Sequence, residues 1–288
     1  MTADDDRTAS DEERTELERA HDLDETSSDA VEERRPLAPV QVYEVVSRTG
    51  LEELKRPVAS LFWSGLAAGL AIGFSVIGRA ALESRLPADA AWTPLVGSIG
   101  YALGFVMVVL GRFQLFTEQT VTPVMPICHA PSARSLTALA RLWGVVLGSN
   151  LLGAAVFAAF LVSSGALTET LLEGVETLAR HELSKSFVET LAGAVGAGFL
   201  IAILVWLLAN LRHGEMPVIF AVTWLIGAAG FAHVVAGSVE MFVLTLRGEA
   251  GLFEVAGGFI LPALIGNVIG GTVLFTLIAY GQVVRELD

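Results

Sequence analysis

The side chains with chemistry to offer stand where an apolar chain least accommodates them. His233 closes the run Gly227-Ala228-Ala229-Gly230-Phe231-Ala232-His233, and Thr117 lies in Arg112-Phe113-Gln114-Leu115-Phe116-Thr117-Glu118-Gln119, each inside a long hydrophobic stretch. An imidazole switches between neutral and charged forms near physiological pH, and its nitrogens donate or accept. The Thr117 hydroxyl can hold one nitrogen and leave the other facing a permeating species. A lone histidine in an apolar helix is often only a hydrogen-bonded core residue, but the glycine-bearing break and its match with Thr117 favour a functional one. Arg112 and Glu118 flank the first break, where they either pair with each other or set the field around a path. Glu240 follows His233 by seven residues, two helical turns away on roughly the same face. Ionisable groups at a membrane-helix centre cost about 2.5–3.5 kcal/mol on insertion scales, so they face a bundle interior or water and have partners.

The elements around these residues repeat. A Gly/Asn signature follows each break: Gly148-Ser149-Asn150-Leu151-Leu152-Gly153 after the first and Gly266-Asn267-Val268-Ile269-Gly270-Gly271 after the second. Thr117 and His233 are 116 positions apart and Gly148 and Gly266 are 118 apart, so the chain reads as two related halves. Interrupted hydrophobic segments at matching positions of two halves point to a transport site near the bilayer midplane.

Apolar residues make up 53% of the 288-residue chain. Charge is absent over 58–78, 142–168, 190–211 and 255–284, each at or beyond the roughly 20 residues a membrane-crossing helix needs. The stretch 92–111, continuing past its interruption to 127, and the stretch 216–239 bring the expected spans to six. Three spans per half is odd, so the halves cross in opposite senses as inverted repeats whose broken second and fifth helices meet in mid-membrane. Unwound backbone at that depth is tolerated only inside protein or beside a cavity. Small residues in the first, third, fourth and sixth spans suit close helix packing in lipid.

The net charge of −13 resides mostly in residues 1–35, which carry 14 acidic and 5 basic side chains. Residues 1–39 are therefore expected to form a disordered acidic tail. Residues 40–56 alternate apolar and charged side chains as an amphipathic interfacial helix does, either an anchor or a movable cap. The six-span domain occupies 57–285. Arg48, Lys55 and Arg56 before the first span predict both termini in the cytoplasm of a cell with this chain in its inner membrane. Cys128 is the only cysteine, which excludes an intrachain disulfide and a cysteine-based metal site. No cofactor, metal or nucleic-acid partner is expected. Neither His-Glu-x-x-His nor a serine in a Gly-x-Ser-x-Gly setting occurs, which argues against an enzyme.

With these residues on view, positions 40–285 resemble the formate/nitrite transporter family. Leu115-Phe116-Thr117 matches its acidic-Leu-Phe-Thr loop, Gly230-Phe231-Ala232-His233-Val234-Val235-Ala236 its Gly-Phe-x-His-x-x-Ala-Asn-Met motif, and Gly266 to Gly271 its last-span signature. The resemblance implies an aquaporin-like protomer in a homopentamer, one pore each, passing small monovalent weak-acid anions such as formate or nitrite. It implies a central pore histidine at His233 with Thr117 as loop partner. It puts Tyr101 and Phe105 at the cytoplasmic constriction and Ile226 at the outer one. Leu115, Phe116, Gly230, Phe231, Asn150 and Asn267 then belong to broken-helix geometry and packing. Gln114, Glu118, Gln119, Gly237-Ser238 and Gly198 depart from the family pattern and mark a divergent branch. Two other readings stand beside the anion pore: a channel for another small neutral solute, with no Asn-Pro-Ala at either break, and a transport-inactive sensor or scaffold.

Overall fold

The computed structural model describes residues 36–287, so the tail expected at the N-terminus lies outside the described residues up to position 35. Regular structure among the described residues is helical throughout. Helix α1 (Pro39–Lys55) precedes α2 (Val58–Glu83) and α3 (Thr93–Leu110). A break leads into two short helices, α4 (Phe116–Gln119) and α5 (Met125–His129), and then into α6 (Ala133–Ser163), α7 (Glu169–Leu183) and α8 (Phe187–Asn210). Helix α9 (Glu215–Ala228) breaks before α10 (Val234–Arg247). The last helix, α11 (Leu252–Val283), passes through wide π-type turns at Ala256–Ile260 and Ile269–Thr276.

Five helices, α2, α3, α6, α8 and α11, are long and apolar enough to cross a membrane. At 1.5 Å per residue the 14 residues of α9 and the 14 of α10 each reach only about 21 Å, short of a hydrocarbon core about 30 Å thick. Only the two together make up the remaining expected span. Helix starts are set by chemistry visible in the sequence. Ser132 caps α6 with Ser135 in a reciprocal box, Ser186 caps α8 with Glu189, and the Thr168 hydroxyl accepts from the Leu171 N–H at the start of α7. Leu95, Ile99, Leu103 and Met107, four apart on α3, turn outward as one apolar stripe.

Two glycines decide how the bundle closes. A Cβ on Gly69 of α2 would collide with the Asn150 carbonyl on α6, and one on Gly198 of α8 with the Asn267 carbonyl on α11. Small residues at these crossings let backbones touch where lipid supplies no hydrophobic drive between helices.

Helix α1 uses its apolar face against the protein. Val42, Tyr43 and Val46 are buried, and the Tyr43 hydroxyl donates to the Met125 carbonyl at 2.6 Å. Burial holds that phenol well above its usual titration range. Only part of the apolar set, Val45 and Leu51, faces outward, so much of the face expected to meet lipid meets the bundle instead.

Candidate functional site

The two breaks are built from the same hydrogen bonds. Helix α3 stops as Arg112 turns left-handed (φ 55°), letting the Phe113 N–H reach back to the Val108 carbonyl at 3.0 Å. Helix α9 stops as Gly230 turns left-handed (φ 64°), and the Phe231 N–H reaches the Ile226 carbonyl at 3.0 Å. This six-to-one bond is the usual way an αL residue closes a helix. Two residues later the chain is extended at Leu115 (φ −98°, ψ 127°) and at His233 (φ −112°, ψ 120°), the caps of α4 and α10.

Each new helix is then held by one asparagine. Asn150 accepts from the Phe116 N–H at 2.8 Å and donates to the carbonyls of Gln114 and Gly65, both at 2.8 Å. Asn267 accepts from the Val234 N–H at 2.9 Å and donates to the carbonyls of Ala232 (3.0 Å) and Ala194 (2.8 Å). Both are fully buried. Backbone groups freed by a break at membrane depth need internal partners, and a primary amide supplies an acceptor and two donors at one point. The contact of Gly198 with Asn267 also gives a physical reason for glycine at this departure from the family pattern.

These bonds fix the register between the halves at 118 positions: Val108 with Ile226, Arg112 with Gly230, Phe113 with Phe231, Phe116 with Val234. The partner of His233 in that register is Leu115, and the match of His233 with Thr117 suggested by their chemistry is corrected. Thr117 sits two residues beyond the cap, on the first turn of α4.

His233 and Thr117 nevertheless meet. Thr117 Oγ1 lies 2.8 Å from His233 Nε2, and both side chains are buried. The Ala236 N–H donates to His233 Nδ1 at 3.3 Å. Nδ1 is thus an acceptor, so Nε2 carries the ring proton and donates to Thr117. The expectation of one ring nitrogen left free is corrected: the imidazole caps α10 with one nitrogen and bonds threonine with the other. The Phe105 ring meets the imidazole at a right angle with centroids 4.9 Å apart, and Tyr101 meets Phe105 at 5.3 Å. Tyr101 also packs beside Gly227, one residue from Ile226. It therefore belongs at the level of Ile226, while Phe105, one turn along α3, lies against the histidine. Grouping Tyr101 with Phe105 and apart from Ile226 does not hold. Ile226 is itself buried.

On the side of the histidine that carries α1, a cavity of about 640 Å³ is lined by Glu53, Arg56, Arg112, Gln114, Glu118 and Gln119 among others. Among the described residues no ion pair joins Arg112 to Glu118; Arg112 is exposed, and Glu118 Oε1 is buried without a hydrogen-bond partner. The left-handed turn at Arg112 ends α3 before the Glu118 turn begins, so the two charges share one cavity and Arg112 acts on Glu118 through its field rather than by direct pairing. Glu240 is buried elsewhere, in the field of Glu182, Arg79 and Lys185. Lys185 had no distinguishing signal in the sequence. Its Nζ donates to both Glu182 carboxylate oxygens at 2.8 Å and to the Gly230 carbonyl at 3.1 Å, tying the second break to the start of α8. Among the described residues no three His, Cys, Asp or Glu side chains are grouped to hold a metal ion.

Residues 40–281 match the family described as formate/nitrite transporter. The inner membrane protein YfdC of Escherichia coli (strain K12) is 33% identical over 257 residues, covering 89% of this chain and 83% of that protein. The formate channel FocA of Haemophilus influenzae is 25% identical, covering 82% of this chain and 91% of its own length. Among solved structures, a pentameric formate channel with formate bound superposes with a TM-score of 0.68 at 18% identity, over 80% of this chain and 98% of that one.

Proposed function

Because the chain belongs to the formate/nitrite transporter family, we propose that it is a membrane channel for small monovalent anions of weak acids, formate and nitrite among them, with His233 and Thr117 at the middle of its path. The observation that carries this reading is a buried histidine–threonine bond at a helix break, faced by the Phe105 ring. A bare anion pays heavily to enter a narrow apolar slot, whereas the neutral acid does not. The Nε2–H of His233 is a polar donor offered there, beside the Thr117 O–H that remains to donate once its oxygen accepts from the ring, and an anion competes with Thr117 for the ring N–H. Tyr101 and Ile226 form the outer collar and Phe105 the collar on the side of α1.

In this reading the spans are α2, α3 with its break, α6, α8, α9 with α10, and α11, arranged as two inverted triplets in an aquaporin-like protomer. Both termini and α1 face the cytoplasm across an inner membrane, and five copies assemble with one pore each. Support for the pentamer comes from the pentameric formate channel that shares the fold.

The test is flux of formate, nitrite, hydrosulfide, acetate and lactate into proteoliposomes, beside His233→Phe. A hydrogen bond to a charged group contributes about 1.5–3 kcal/mol, so the variant is expected to lose roughly tenfold or more of the flux. Equal flux through both proteins would remove the histidine from the path, and no flux from assembled protein would remove the channel.

A further inference from the structure

Glu118 follows Thr117 directly and stands in the wall of the cavity on the α1 side. Its Oε1 is buried and meets no donor, and the same is true of Oε1 of Gln114 and Gln119, which line the same cavity and are 5% and 4% exposed. The charged groups facing this wall are Arg112 from the first break, Glu53 and Arg56 from α1 and the turn after it, and Glu215 from α9. Helix α8 presents only Leu204, Val205, Leu208 and Ala209 there. Arg56 is held by Glu53 at 3.2 Å, and among the described residues no ion pair reaches Glu118. His233 touches it only through the neighbouring Thr117.

A carboxylate placed this way leaves one oxygen out of water with no hydrogen bond, and Arg112 offsets that cost only through its field, without an ion pair. A protonated carboxyl carries no such charge. Resting on the channel reading above, we propose that Glu118 is the proton-exchange group of the pore on its cytoplasmic side. An anion in the cavity takes the Glu118 proton: the glutamic O–H bond breaks, its electron pair stays on Glu118, and the new O–H makes the neutral acid. That acid passes Phe105 to the histidine. The Glu118 carboxylate then recovers a proton from water in the cavity, so anion and proton leave the cytoplasm together. In the opposite direction an arriving neutral acid gives its proton to Glu118 and departs as the anion.

Two readouts test this. The first is the infrared difference between assembled wild-type protein and Glu118→Gln in lipid, which requires no substrate. A carboxyl C=O stretch from Glu118 is expected at neutral pH, vanishing on alkaline titration; a carboxylate signature alone at neutral pH overturns the proposal. The second is formate flux with pH set separately on each face. Wild-type flux is expected to fall about tenfold per pH unit as the α1 face is made alkaline beyond the titration, because one bound proton accompanies each passage. Glu118→Gln is expected to lose that dependence while keeping its response to pH on the other face, and Glu118→Asp to retain both. An unchanged profile in Glu118→Gln overturns the proposal. Wild-type protein without flux would sink the channel reading, and the infrared result would still decide the protonation of Glu118.

Discussion

At the first break the capping residue is Leu115 and the helix that follows ends after four residues; at the second it is His233 and α10 continues for 14. Up to the cap the two backbones are interchangeable: an αL residue, a six-to-one bond, an extended residue, and an asparagine that satisfies two freed groups and ties them to a neighbouring helix carbonyl. Beyond it they diverge for local reasons. Pro123 and Pro126 lack the N–H a continuing helix needs, so the first half proceeds as turns and α5. Those turns are pinned across the molecule, since Thr272 of α11 donates to the Thr120 carbonyl at 2.6 Å. The second half runs on through apolar residues and is fastened at its far end by ions, with Arg247 paired with Glu176 at 2.6 Å. Duplicated backbone thus supplies the opening twice, while the side chain at the cap is left free to differ. One copy places a buried leucine there and the other a histidine, and the first supplies that histidine's hydrogen-bond partner two residues later as Thr117.

The sharpest way to break this equivalence is through the asparagines. Asn150→Ala and Asn267→Ala each strand two buried backbone groups of the break, at about 1–3 kcal/mol apiece, so each is expected to cost roughly 2 kcal/mol or more. Thermal unfolding of the purified variants should show two losses of similar size; tolerance of one alone would mean that the breaks are not equivalent. Removing the cross-link between halves is expected to cost less. Thr117→Val leaves the Nε2–H of His233 without its acceptor, a loss of about 1–3 kcal/mol that the same unfolding assay reads.

The αL positions give effects of opposite sign. Gly230→Ala puts a side chain where φ is 64°, at a cost of about 1–2 kcal/mol, and Arg112→Gly relieves a similar strain in the first break. Stabilisation by Arg112→Gly alongside destabilisation by Gly230→Ala would confirm that the two residues do the same task. The smallest effect belongs to the outer fastening of the second half. Hydrogen bonding from Arg180 holds the Glu249 carboxyl below its ordinary range. Its contribution is therefore present above the unfolded carboxylate value of about 4.3 and is lost as pH falls through the lower folded value. Hydrogen exchange near the end of α10 should quicken over that acidic window while exchange in α4 does not.

Much of this architecture is legible in the sequence because lipid imposes simple demands. Long charge-free runs coincide with α2, α6, α8 and α11, and both interruptions fall where the runs contain glycine or charge. The meeting of Thr117 with His233 was readable because two polar groups in apolar surroundings need each other. The register was not readable for the same reason: chemistry drew attention to Thr117, whereas the backbone counterpart of His233 is a leucine. Arg112 shows the converse, a charged residue that also takes the left-handed backbone turn its counterpart fills with glycine. Lys185 and the shielded oxygens of Gln114, Glu118 and Gln119 depend on contacts made only after folding, which no local pattern encodes.

The most direct test of the account is to make the second break carry the side chain of the first. His233→Leu keeps the backbone and the Asn267 bonds, and its formate flux in proteoliposomes is to be compared with that of the wild type at equal amounts of folded, assembled protein. Loss of roughly tenfold or more of the flux, with the protein still assembled, is the predicted result, on the scale of one charge-assisted hydrogen bond. Undiminished flux would show that the break alone makes the path and that the histidine is only its cap.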